Sequence, residues 1–238
     1  MSGTGNSRSN RSSRPPLLQA YITIVVLAAV GGLLVLFFFD PTPTRVDTLG
    51  YLLLAVYVVA SEVFPLRVIR DGREGLLTVS TSFAFAILLR LGALETILPL
   101  VVGSVLHDLL QRKTLQRAVF NAAQLTVSVV AAGAALQAVA PRSGDPPFLL
   151  AETGLLGVVA AALAFFAAHF VLSGLALALA SNISPLTLLR RDLAPQAGWT
   201  AVLLSVSPII VATAETSAAL MPLFAVLMAL VYRSMDVV

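Results

Sequence analysis

The chain has 238 residues, 58% hydrophobic and only 11% charged, with a net charge of +3 and a mean hydropathy of +0.94. A soluble domain carries roughly 25% charged residues, so this composition excludes a solvated surface over most of the chain and points to a membrane protein. The scattered basic residues exclude a nucleic-acid footprint, and the lack of cysteine excludes disulfides, thiolate metal sites and a cysteine nucleophile.

The opening MSGTGNSRSNRSSRPP is rich in Ser, Gly, Asn and Arg and predicts a disordered cytoplasmic tail over 1–16. The apolar run at 17–39 is too long for a signal-peptide core and ends in FFFDPTPT rather than a small-residue cleavage site. It is read as an uncleaved anchor helix. Further apolar segments follow at 48–66, 76–91, 93–111, 117–140, 153–180, 197–214 and 217–233. A hydrocarbon core of about 30 Å needs about 20 helical residues. The expected fold class is therefore all-α, a polytopic membrane bundle over 17–238 with about eight transmembrane segments.

The third segment is short. At 1.5 Å per residue it covers about 24 Å, so it is either a tilted or thinned crossing or one arm of a re-entrant hairpin. Charge decides between them. With the N-terminus inside, twelve of the fifteen Lys and Arg residues fall in inner segments, Arg45 and Arg142 fall in outer loops, and Arg90 falls at an outer turn. This is a strong positive-inside asymmetry with both termini cytoplasmic. A re-entrant third segment would instead bury Arg90 and Glu95 near mid-membrane at considerable cost. The crossing is preferred, with Arg90 and Glu95 as a candidate ion pair flanking the outer turn. The breaker-rich stretches DPTPT (40–44), RDG (70–72), PRSGDPP (141–147) and SNISP (181–185) mark connections. Pro99, Pro208 and Pro222 lie inside spans, where each removes a backbone donor.

A few polar residues sit within the apolar runs. Asn121, Gln124 and Ser128 share one helical face of the fifth span. They serve either to hold helices together or to line a cavity. His107 and Asp108 lie near the inner end of the fourth span, at a similar depth, and with Asn121 and Gln124 they form one candidate polar cluster. Asp108 also has Arg112 at i+4 as an ion-pair partner. His169 lies near the middle of the sixth span with Ser173 one turn on. It is either a neutral imidazole bonded to a neighbouring helix or a ligand- or proton-sensitive group. Thr78, Ser80, Thr81 and Ser82 can bond their own helix and carry little signal. Glu62 has Arg67 and Arg70 within reach. No catalytic motif appears, so any activity would reside in another domain, and no cofactor is expected.

The run SFAFAILL, a glycine turn, then LVVGSVLHDLLQRK and LQRAVFNAAQ resembles the multi-span N-terminal membrane region of bacterial cyclic-di-GMP signalling proteins. In that family it precedes GGDEF, EAL or HD-GYP output domains. The resemblance is best over 76–130 and looser over 150–235; its most specific element is FNAAQ at 120–124. It implies a sensory or anchoring module in a bacterial cell membrane. The chain departs from the family by ending at YRSMDVV, where an output domain is expected to begin, so it is read as truncated or as a stand-alone relative. No cyclase or phosphodiesterase residue carries over. The expected partners are the lipid bilayer, a second copy of the chain, a fused or separate output domain and a small hydrophobic or polar ligand; nucleic acid is not among them. The competing class is a small-molecule transporter or its substrate-binding subunit. Against it stand the lack of an inverted repeat and the scarcity of mid-membrane charge. An intramembrane enzyme is a weaker third reading.

Overall fold

The computed structural model describes residues 16–39, 48–70, 73–77, 79–140, 152–181, 183–224 and 226. The expected N-terminal tail up to residue 15, the outer loops and the end of the chain beyond 226 lie outside the described residues. The elements in order are α1 (Pro16–Phe39), α2 (Thr48–Val63), β1 (Leu66–Arg70), β2 (Arg73–Leu77), α3 (Ser80–Arg90), α4 (Ala93–Leu110), α5 (Leu115–Val139), α6 (Glu152–Ser181), α7 (Pro185–Thr216) and a short 3-10 turn at Ala218–Leu220. Among the described residues the protein is helical apart from one hairpin. Among the described residues four helices are long and apolar enough to cross a membrane: α1, α4, α5 and the stretch Gly154–Ser181 of α6.

The hairpin corrects two expected boundaries. Residues 64–66, 76, 77 and 79 are not helical. Helix α2 stops just before Pro65, because a residue preceding proline is pushed out of the helical region. The chain then forms an antiparallel pair in the register Leu66↔Leu77 to Arg70↔Arg73. Two residues, Asp71 and Gly72, separate the paired ends, and Asp-Gly is a favoured dipeptide for a two-residue hairpin connection. Helix α7 corrects a third boundary. It begins at Pro185 rather than 197, with Ser184 at the N-cap position and proline in the first turn. Proline there loses a donor that the first turn does not use, so SNISP starts a helix as well as ending one.

Packing fixes the helix directions. Tyr51 Oη donates to the Glu95 carbonyl at 3.3 Å, and Glu62 packs against Gly103, so α2 and α4 run the same way. Ser80 reaches Glu62 and Phe83 lies beside Tyr57, so α3 opposes both. Ala93 meets Gly133 and Asp108 meets Asn121, so α5 opposes α4. Gly157 meets Ala140 and His169 meets Gln124, so α6 opposes α5. Helix α1 lies alongside α5 in the same direction, with Tyr21 near Phe120 and Gly32 near Val130. Consecutive helices from α1 to α6 therefore alternate in direction. One end of the bundle gathers the hairpin and the α4–α5 turn, and hence Arg67, Arg70, Arg73, Arg112, Lys113 and Arg117.

The core is centred on α3, which is buried from Ser82 to Leu89 and packs against α2, α4 and α7. A helix that is apolar all round belongs inside. The outward faces of the outer helices are also apolar, with Ile24, Leu27 and Leu34 of α1 and Leu155, Val159 and Leu163 of α6 exposed. Water tolerates only small patches of that kind; lipid requires them. Backbone groups must then be satisfied within the protein. Pro99 takes the donor from the Glu95 carbonyl four residues earlier, and Tyr51 supplies a replacement.

Tyr51→Phe is expected to lower stability by roughly 0.6 kcal/mol, the mean for interhelical bonds between membrane helices. In a Pro99→Ala background the helix regains its own donor and the same change should cost less. Melting curves of the four proteins in detergent test this, and an equal cost in both backgrounds would refute it.

Candidate functional site

The site begins with the way α4 ends. Arg112 adopts φ 52°, the left-handed conformation. The Arg112 amide donates to the Leu109 carbonyl at 3.0 Å and the Lys113 amide to the Asp108 carbonyl at 2.9 Å. This is the paired bonding of a Schellman cap, with arginine where glycine is usual. The left-handed backbone costs a non-glycine residue roughly 1–2 kcal/mol. The cap folds Lys113 back over the last turn of α4, and its Nζ reaches Asp108 Oδ1 at 2.6 Å. The ion pair thus forms with Lys113, and the expected i+4 partner, Arg112, is turned into the cap.

Asp108 is 1% exposed. Its second oxygen, Oδ2, accepts from Asn121 Nδ2 of α5 at 2.7 Å. Each carboxylate oxygen therefore has a donor, one of them charged. Gln124, one turn further along α5, is directed to a different helix. Its Nε2 lies 3.0 Å from His169 Nδ1 on α6. With the amide donating, the imidazole is the tautomer protonated on Nε2. The His169 ring stacks on Phe165 with centroids 5.7 Å apart. Ser173 Oγ donates to the His169 carbonyl at 2.6 Å, and Ser128 Oγ to the Gln124 carbonyl at 2.8 Å. Both hydroxyls bond their own helix.

The expected cluster of His107, Asp108, Asn121 and Gln124 is thus divided. Asp108 and Asn121 join α4 to α5, while Gln124 and His169 join α5 to α6. His107 enters neither pair through Nδ1. That atom is buried and has no hydrogen-bond partner among the described residues. Arg90 and Glu95 stand in the last turn of α3 and the first turn of α4. They flank a tight turn in which Gly92 adopts φ 131°.

Glu62 is the residue whose importance the sequence hid. Its Oε1 accepts from Ser80 Oγ at 2.5 Å, across the start of α3. Asp108 and Lys113 both act on it electrostatically. A lone glutamate near the end of an apolar segment was the available signal, but the nearby arginines were the obvious partners. Their side chains lie outside the described residues. Among the described residues no group of His, Asp or Glu is arranged to hold a metal ion.

No family model, curated protein or solved structure matches the chain.

Lys113→Ala should destabilise the protein by leaving Asp108 without its cation. Breaking a buried pair costs about 3–5 kcal/mol, and exposure screens it. With the Lys113 side chain 33% exposed, a loss of about 1–2 kcal/mol is expected. Adding Asp108→Asn should recover part of it. A double mutant as unstable as the sum of the single changes would show that the two side chains do not interact.

Proposed function

We propose that the chain is a multi-pass sensory or anchoring module of a bacterial cell membrane, with eight crossings and both termini cytoplasmic. In this reading it regulates a fused or separate output domain, with cyclic-di-GMP turnover as the output by resemblance. One observation carries the reading: among the described residues six basic ones, Arg67, Arg70, Arg73, Arg112, Lys113 and Arg117, share one end of the bundle with the charged hydrogen-bond network, while Arg90 stands at the other. The arginine-bearing hairpin, the α4–α5 turn and the Asp108–Lys113–Asn121 network share that end. Basic residues mark the cytoplasmic side, where a signalling partner would be.

The alternation of helix directions supports full crossings. Helix α3 covers only about 16 Å at 1.5 Å per residue. It is shielded by its neighbours, so it need not span lipid alone. An apolar crevice lined by Phe39, Gly92 and Gln137 sets the α3–α4 turn level with the last turns of α1 and α5. That position suits an outer turn better than a mid-membrane one. The network suits a two-state element, because each polar pair ties two helices whose relative shift would break it. Only a signal that binds two packings differently can drive such a shift.

The transporter alternative needs a polar path between helices. The larger described groove, about 460 Å³ between α2 and α4, is lined by Leu52, Val56, Val59, Leu98, Pro99 and Val102. Those side chains suit hydrocarbon rather than a polar solute.

Two experiments test the proposal. A cysteine placed at Ser143 should label from outside the cell and one at Ser12 only after permeabilisation; the reverse pattern refutes the orientation. For signalling, a cyclase or dimerisation reporter is fused after Val238, with one to four alanines inserted at the junction. Each added residue rotates a helix by about 100°, so output should vary with insertion phase. Output indifferent to every insertion would leave an anchor and remove the sensor.

A further inference from the structure

We infer that the groove between α2 and α4 is a lipid site: it holds one acyl chain of an anionic phospholipid whose phosphate lies at the arginine-bearing end of the bundle. The inference goes beyond the sensory reading and does not need it. It requires only that the bundle sits in a bilayer.

The shape of the groove suits a chain. It encloses about 460 Å³, and its α2 wall runs from Tyr51 to Phe64. That distance is about 20 Å at 1.5 Å per residue, against about 15 Å for the hydrocarbon depth of one leaflet. Leu52, Val56, Leu98 and Val102 of its walls are exposed, so it opens sideways to lipid. Among the lining residues Tyr51 alone carries a polar side-chain atom, and its hydroxyl is spent on the Glu95 carbonyl. Beside the groove the two helices touch: a Cβ at Gly103 would lie 3.2 Å from Val59 Cα, which closes the floor there.

Lipid tails are as apolar as the groove, so burial alone selects no lipid. Charge does. Helix α2 covers about 24 Å, less than a hydrocarbon core of about 30 Å. Beyond Gly103, α4 runs on to Leu110, about 10 Å further, while on the α2 side the hairpin continues the chain. Both segments therefore enter the headgroup layer at the Phe64 end of the groove. The hairpin with its connection carries Arg67, Arg70 and Arg73 against Asp71 and Glu74. The end of α4 and the start of α5 carry Arg112, Lys113 and Arg117 against Asp108. With Glu62 counted as well, positive charge is still in excess. Asp108 already accepts from Lys113 and Asn121, and Glu62 from Ser80. A phosphate with net negative charge balances the excess, and arginine is suited to bond it.

The test uses the full chain in phosphatidylcholine nanodiscs, with phosphatidylglycerol as the anionic probe. The chain has a single tryptophan, Trp199. With Trp199→Phe as background, Leu98→Trp puts a fluorophore on the groove and Leu163→Trp puts one on the outer face of α6. The two leucines are equally exposed, at 62% and 63%. Phospholipids with brominated chains quench a tryptophan they touch. At Leu98→Trp, brominated phosphatidylglycerol should quench at a several-fold lower fraction of the bilayer than brominated phosphatidylcholine. At Leu163→Trp the two should be equal. Arg67→Gln and Arg70→Gln should each lower the preference at the groove about fivefold. On the unaltered chain, native mass spectrometry after release from mixed nanodiscs should find phosphatidylglycerol retained over phosphatidylcholine. The site is refuted if that retention is absent, if both tryptophans show the same preference, or if the arginine changes leave it intact. Loss of the preference on adding soluble glycerol phosphate would mean that the headgroup binds without the groove. A groove tryptophan quenched by neither lipid would mean that a second copy of the chain fills it. Either result overturns the inference.

Discussion

Lipid offers a polar group nothing to bond to, and this constraint orders the bundle. Apolar contacts between helices are not directional, and in lipid they gain little from the exclusion of water. The polar groups must therefore set the register. Two classes can be told apart, although the hydroxyls of Ser80 and Ser82 cross from α3 to Glu62 and to the Leu203 carbonyl. The hydroxyls of Thr23, Thr126, Ser128, Ser173, Thr213 and Thr216 bond carbonyls one turn back on their own helices. They are satisfied without a neighbour and fix nothing. The amides, carboxylates, imidazole and phenols cannot do this so easily and reach across. Asp108 to Asn121, Gln124 to His169, Tyr21 to the Leu172 carbonyl and Tyr57 to the Met221 carbonyl each hold one helix at one height against another.

Close approach makes these short side chains sufficient. A Cβ at Gly133 would lie 2.9 Å from Ala93, and one at Gly157 would lie 2.7 Å from Ala140. The backbones of α4, α5 and α6 therefore come near enough for an asparagine or glutamine to bridge them. Gly133 and Gly157 are the points of close contact. Gly31, also in an apolar helix, faces open space. Small size permits contact; it does not say with what.

The same distinction explains how much the sequence discloses. Apolar run length locates most of the helices, because a membrane-crossing helix must be long and apolar whatever its neighbours do. It misplaces the ends of α2 and α3, because residues 66–77 keep enough apolar character to extend both segments while pairing as strands. Helical period puts Asn121, Gln124 and Ser128 on one face, and they are there. It could not tell that Asn121 would meet α4 while Gln124 met α6. That depends on the order of helices around α5, which no local pattern encodes. Lys113 replaced Arg112 beside Asp108 for a similar reason: a left-handed cap redirects the side chains that follow it, and an arginine at the cap position does not announce one.

Charge is the least economical way to hold such a bundle. A buried ion pair is often no more stabilising than well-packed apolar side chains of the same size, and a left-handed arginine adds strain to the cap that places Lys113. Helices α4 and α5 already meet through Gly133 and need no carboxylate to stay together. What the network adds is direction: Lys113 and Asn121 each have one oxygen of Asp108 to bond, so the ends of α4 and α5 are held at one height. It lies beside Lys113, whose side chain is a third exposed, at the end of the bundle that carries the hairpin. Deeper in the bundle the pairing is neutral, Gln124 with His169, and holds position without a net charge.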